Sequence, residues 1–124
     1  MKLLLDTHAA IWWQREDRRL GREARRAIAT ADVVWVSAAA GIEVALKVTL
    51  RRLRLDESFR VMVAADDFTE LPMTLRHAEE LEHLPVHHGD PFDRILIAQA
   101  RVEGATIVTH DRALEAYGVP IIWT

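Results

Sequence analysis

Residues 90–111, DPFDRILIAQARVEGATIVTHD, read as a helix, its stop and a buried strand in one unbroken run. Asp90 suits the N-cap, and Pro91 suits the first helical position, where a missing N–H is not needed. Asp93 falls in the first turn, where a carboxylate meets the positive end of the helix dipole. Ile95, Ala98 and Val102, with Ile97 alongside, mark an apolar face at helical spacing, and Gly104 stops the helix. Ala105–Val108 follows as a short apolar strand that leads to Asp111. A helix returning into a continuously apolar strand is the unit of a parallel sheet covered on both faces.

The same alternation extends in both directions. Upstream, Lys2–Leu5 reads as a buried strand, Thr7–Gln14 and Gly21–Thr30 as helices, and Val33–Val36 as a β-branched, aromatic strand. Ser37 caps a helix from Ala38 to Leu50, Glu57–Ala65 is helical, Thr69–Leu71 is a weak strand, and Thr74 caps a helix that Pro85 closes. Downstream, a short helix runs from Asp111 to Tyr117, and Ile121–Trp123 forms the last strand. The expected fold is α/β: a three-layer α/β/α sandwich with a central parallel sheet, built as a single domain over residues 1–124. A chain of 124 residues is long enough for one core, and no repeat or Gly/Ser-rich linker divides it. Cysteine is absent, which excludes a disulfide framework and thiolate metal ligands. No apolar run approaches the roughly 20 residues of a membrane span, and Asp6 cuts the Leu3–Leu5 run too early for a signal peptide. The expectation is a cytoplasmic chain with no membrane partner.

In open parallel sheets, sites form beyond the carboxyl ends of the strands where strand order reverses. That rule singles out four acids. Asp6 ends the first strand, and Asp111 lies just past the Ile107 strand. Glu43 lies near the second turn of the helix after the second strand, and Asp93 in the first turn of the helix before the Ile107 strand. Clustered carboxylates repel one another unless a cation neutralises them. Oxygen donors, with neither cysteine nor zinc-type histidine spacing, point to Mg²⁺ or Mn²⁺. Each acid also has a plainer reading. Asp6 suits a turn, Glu43 a pair with Lys47 one helical turn away, Asp93 the helix dipole and Asp111 a cap. Capping explains Asp90 fully, which leaves it outside the catalytic set.

At this point the residues resemble a family. Leu3-Leu4-Leu5-Asp6-Thr7-His8, Val36-Ser37 with Glu43-Val44-Ala45-Leu46-Lys47, Asp90-Pro91-Phe92-Asp93-Arg94 and Val108-Thr109-His110-Asp111 are similar to the PIN domains of VapC-type toxins. The resemblance runs through the whole chain in order, and the Asp-Pro-Phe-Asp-Arg run is its most specific part. It implies a Mg²⁺- or Mn²⁺-dependent endoribonuclease. Asp6, Glu43, Asp93 and Asp111 match the metal-holding acids, while Ser37 and Thr109 match residues that orient waters or phosphate oxygens. Thr7 and Lys47 stand beside that set as supporting residues. It further implies an RNA substrate, a small cognate antitoxin and a homodimer. The chain departs from the pattern at Ile42, where the family often has an aromatic residue, and at Ala40 and Gly41, where it often has Ser.

Charge is uneven: residues 1–60 carry 12 Lys/Arg against 8 Asp/Glu, and residues 61–124 carry 4 against 11. The run Arg15, Arg18, Arg19, Arg22, Arg25 and Arg26 fits either a phosphate-steering patch or a solvated helix face. The adjacent His87-His88 reads as loop polarity, and His8 and His110 as packed or solvated side chains. Trp12 and Trp13, about 100° apart on a helix, face one core only awkwardly. Two other functions compete. An aspartyl-nucleophile phosphatase needs a second Asp two residues after Asp6, where His8 stands. A PIN-fold binding module would keep the fold without turnover.

Overall fold

The Leu3-Leu4-Leu5 run becomes the middle strand of the sheet, which is why it carries no polar residue. A computed structural model describes residues 1–87 and 89–124. Its strands are β1 (Lys2–Leu5), β2 (Val33–Ser37), β3 (Thr69–Leu71), β4 (Thr106–Thr109) and β5 (Ile121–Trp123). They lie in the order β3-β2-β1-β4-β5, every neighbouring pair parallel. The helices are α1 (Thr7–Gln14), α2 (Arg22–Thr30), α3 (Ala38–Thr49), α4 (Phe59–Ala65), α5 (Leu75–Glu82) and α6 (Pro91–Glu103), with a 3₁₀ helix at Arg112–Tyr117.

Successive strand residues point to opposite faces, and β1 shows the consequence. Leu3 and Leu5 pack into one core with Ala9, Leu20, Ala24, Ile28 and Val36. Leu4 packs into the other with Leu96, Ile97, Ala100, Ile107 and Leu114. The sheet is therefore covered on both sides, as the α/β/α reading requires. Trp12 and Trp13 both pack on the first of these cores, and Trp13 meets Phe68 with ring centroids 6.0 Å apart.

The site follows from topology. The chain runs outward from β1 to β2 and β3, then returns to place β4 on the other side of β1. Strand order thus reverses between β1 and β4, and a crevice opens at their carboxyl ends. The register pairs Leu5 with Val108, and the Asp6 amide donates to the Val108 carbonyl at 3.0 Å. The loop residues after each strand are brought side by side.

Local physics accounts for most boundaries. Asp90 accepts from the Phe92 amide at 2.9 Å, and Gly104 ends α6 at φ 67°, where a side chain would be strained. Several boundaries differ by a residue or two from expectation, among them β4, which runs Thr106–Thr109 rather than Ala105–Val108. β2 runs one residue further, to Ser37. The expected short helix after Asp111 is a 3₁₀ helix from Arg112 to Tyr117, capped by Asp111 and closed by left-handed Gly118. α4 starts at Phe59, after Ser58 accepts from the Val61 amide. His77 was not singled out by the sequence. It is buried in a capping box with Thr74, and its Nε2 lies 2.7 Å from Glu103 of α6.

Candidate active site

Asp6, Glu43, Asp93 and Asp111 line one cavity of about 220 Å³ at the β1–β4 crevice. Asp6 is delivered by the end of β1 and fixed on two sides. Its Oδ1 accepts from the Ala9 amide at 2.7 Å, capping α1, and its Oδ2 accepts from the Thr109 hydroxyl at 2.7 Å. Glu43, one turn and a half into α3, accepts from the Thr7 hydroxyl at 2.5 Å and has Lys47 Nζ 3.5 Å from its other oxygen. Asp111 caps the 3₁₀ helix through the Ala113 amide at 3.0 Å. Asp93 stands in the first turn of α6.

The supporting residues divide by position. Thr7 and Lys47 line the cavity and hold Glu43. Thr109 is fully buried beneath it: its oxygen donates to Asp6 and accepts from the Asp111 amide at 3.1 Å, tying the β1 and β4 loops together. Ser37 is buried outside the cavity wall, where it caps α3 by accepting from the Ala39 amide at 3.0 Å. Asp90 both caps α6 and lines the cavity. Capping alone therefore does not account for Asp90, and because an N-cap and a third helical residue share one helix end, its nearness to Asp93 is readable in the sequence.

His8 and His110 also line the cavity. Their ring centroids are 4.9 Å apart in an edge-on arrangement, with Trp12 5.5 Å from His8 and 5.4 Å from His110. His110 Nδ1 lies 3.6 Å from Asp6 Oδ2, and that carboxylate raises the imidazole pKa. Burial lowers the pKa of His8 despite the nearby Asp6 charge. His87 packs on Tyr117 at 5.2 Å, while His88 lies outside the described residues. Within the basic run, Arg25 donates to the Asp17 and Leu20 carbonyls and Arg15 to the Arg54 carbonyl, so these guanidiniums hold the fold together.

Five carboxylates, Asp90 included, face a cavity whose wall includes Lys47. Such a concentration of negative charge is unfavourable without a cation. The donors are hard oxygens from separate elements, the chemistry that suits Mg²⁺ or Mn²⁺. The arrangement fits the group.

The family model described as PIN domain matches residues 3–120. The chain belongs to the PIN domain family. It is 33% identical over 121 residues to Ribonuclease VapC22 of Mycobacterium tuberculosis, covering 95% of this chain and 93% of that one. Its fold matches VapBC2 from Rickettsia felis, solved with a promoter DNA fragment, at a TM-score of 0.73 and 10% identity over 99% of this chain and 98% of that one. A toxin–antitoxin complex from Klebsiella pneumoniae matches at a TM-score of 0.64 and 21% identity, over 97% and 95% of the two chains.

Within this PIN domain the departure at Ile42 has a simple reason. The side chain is 53% exposed, so no aromatic is needed to fill a core there. Thr109 makes a sharper test. Thr109→Val keeps the shape but removes both hydrogen bonds, leaving buried polar groups unpaired at a cost of about 1–3 kcal/mol. Groups that orient metal-binding carboxylates are typically worth about 10–100-fold in metal affinity or activity. Thr109→Val should therefore lower both the unfolding midpoint and Mn²⁺ affinity, while Thr109→Ser retains both. Denaturant titration and Mn²⁺ titration check it.

Proposed function

We propose that this PIN-domain chain is a divalent-metal-dependent endoribonuclease and the toxin of a VapBC-type toxin–antitoxin pair. The observation that carries the reading is the convergence of Asp6, Glu43, Asp93 and Asp111, from separate elements, on one cavity at the sheet's switch point. The ribonuclease name of the 33%-identical relative supports the substrate class, and the toxin–antitoxin complexes among the structural matches support the partner.

A bound Mg²⁺ or Mn²⁺ supplies an activated water and neutralises charge building on a phosphodiester. Asp6 is presented by two hydrogen bonds that stop it from swinging, and Glu43 is held by Thr7 and Lys47. Asp93 and Asp111 complete the set from α6 and the β4 loop. Lys47 carries the positive charge suited to a phosphate oxygen. Attack by water on phosphorus expels the 3′ oxygen and leaves a 5′-phosphate. Ile42, Leu46 and Leu50, exposed at four-residue intervals at the end and along one side of α3, support a homodimer.

Purified protein should cut RNA with Mg²⁺ or Mn²⁺, stop on chelation, and lose activity as the Asp6→Asn/Asp93→Asn double variant. Equal cleavage by wild type and double variant marks a contaminating nuclease and removes the proposal. Expression should arrest growth, with relief by Asp6→Asn or by a small antitoxin encoded beside the gene. The phosphatase alternative would need an acid at position 8; the residue there is His8, packed edge-on against His110.

A further inference from the structure

We infer that Asp6, His8 and His110 form a second metal site at the exposed side of the cavity, selective for a borderline cation such as Zn²⁺, whose occupation switches the carboxylate site off. The inhibitory part rests on the ribonuclease reading; the binding part does not.

In the sequence His8 and His110 stand 102 residues apart, so no local spacing marks them as a ligand pair. The fold removes that obstacle. Parallel pairing of β1 with β4 sets the loop after Leu5 beside the loop after Thr109, so His8 and His110 become neighbours. The three side chains each offer a ligand atom, and these atoms all lie within 4.8 Å of one another. Tetrahedral Zn²⁺ with bonds of about 2.0–2.1 Å needs ligand atoms roughly 3.3 Å apart. His110 Nδ1 and Asp6 Oδ2, at 3.6 Å, are nearly there already. The His8 ligand atom, within 4.8 Å of the other two, reaches bonding distance only by a side-chain rotation, which the ion would have to drive. Asp6 needs no adjustment, since Ala9 and Thr109 already fix it. Trp12 packs beside both imidazoles, its ring centroid 5.5 Å from that of His8 and 5.4 Å from that of His110.

The donor set decides which ion enters. Two imidazoles and one carboxylate suit Zn²⁺, whereas Mg²⁺ prefers an all-oxygen shell. Three protein ligands leave the fourth position to water, so the ion remains exchangeable. Asp6 belongs to both sets. An ion held by Asp6, His8 and His110 takes one carboxylate from the neighbouring site and places positive charge beside it, opposing a second cation there.

The test is a Zn²⁺ titration of the full chain in excess Mg²⁺, with Co²⁺ as a spectroscopic probe of nitrogen ligation. Wild type should bind one Zn²⁺ tightly and give a Co²⁺ spectrum with imidazole ligands. His8→Gln/His110→Gln should weaken Zn²⁺ about 100-fold, the upper end of what even an indirect metal partner contributes. Glu43→Gln should leave Zn²⁺ affinity unchanged. If the double variant loses its metal-free thermal midpoint, His110→Gln alone gives the same reading. Unchanged Zn²⁺ affinity in the histidine variants, or an equal loss in Glu43→Gln, overturns the site. In RNA cleavage with Mn²⁺, added Zn²⁺ should inhibit wild type and spare the histidine variant; equal inhibition of both overturns the switch. If no RNA is cut at all, the ribonuclease reading fails while the Zn²⁺ titration still stands on its own.

Discussion

Asp6→Asn alone is expected to slow RNA cleavage by about 100-fold or more, at or above the roughly 10–100-fold typical of groups that only orient a metal-holding carboxylate. The asparagine oxygen still accepts from the Ala9 amide, so α1 stays capped and the fold survives. The other carboxylate oxygen becomes an amide NH2, so the negative charge facing His110 is lost and the Thr109 hydroxyl must turn from donor to acceptor. Adding Asp93→Asn should lower the rate little further, because residues acting as one unit are not additive. Initial rates at saturating Mn²⁺ measure it. Asp6→Asn cleaving at the wild-type rate would show that the cavity carboxylates do not carry the chemistry.

Leu4→Ala should produce the largest loss of stability. Leu4 is fully buried on the central strand and shares one core with Ile97 and Ala100 of α6 and Ile107 of β4. Truncating a buried leucine removes transfer free energy and leaves a cavity, together about 2–5 kcal/mol. For a chain of this size that corresponds to a fall of roughly 10 °C or more in Tm. Leu75→Ala serves as the control: the residue is 88% exposed, and the change should stay within about 0.5 kcal/mol. Calorimetry of the two variants decides. Similar midpoints would mean that β1 is not the buried centre of the sheet, and the positioning of Asp6 at its end would need another explanation.

Much of this molecule was legible because the relevant physics is local. Asp90, Pro91 and Gly104 mark the ends of α6 by capping chemistry and left-handed geometry, each within a few residues. Leu3-Leu4-Leu5 marks a doubly covered strand by composition alone. Asp6, Asp93 and Asp111 stand at strand and helix ends that the sequence marks, whereas Glu43 lies one and a half turns into α3. Segments with weak local preference read less well. The helix before Gly118 shows no sign in the sequence of being 3₁₀, and Ser58 sets the start of α4 two residues later than the pattern predicts. Ser37 illustrates a different limit. Its hydroxyl caps α3, and no local pattern tells a cap from a residue turned toward a ligand.

Long-range polar partnerships were not legible. His77 and Glu103 are joined at 2.7 Å, yet each reads singly as an ordinary surface residue. His8 and His110 meet only because β1 and β4 pair in the register that sets Leu5 against Val108. By itself the sequence determined the alternation of elements, their caps and the acids at their ends, since backbone preference and apolar periodicity act over a few residues. Only the tertiary structure decided which of those ends share a cavity, that Asp90 lines it, and that two distant imidazoles flank Asp6. Strand order and register are fixed by burying both faces of β1 at once, a requirement no single segment contains.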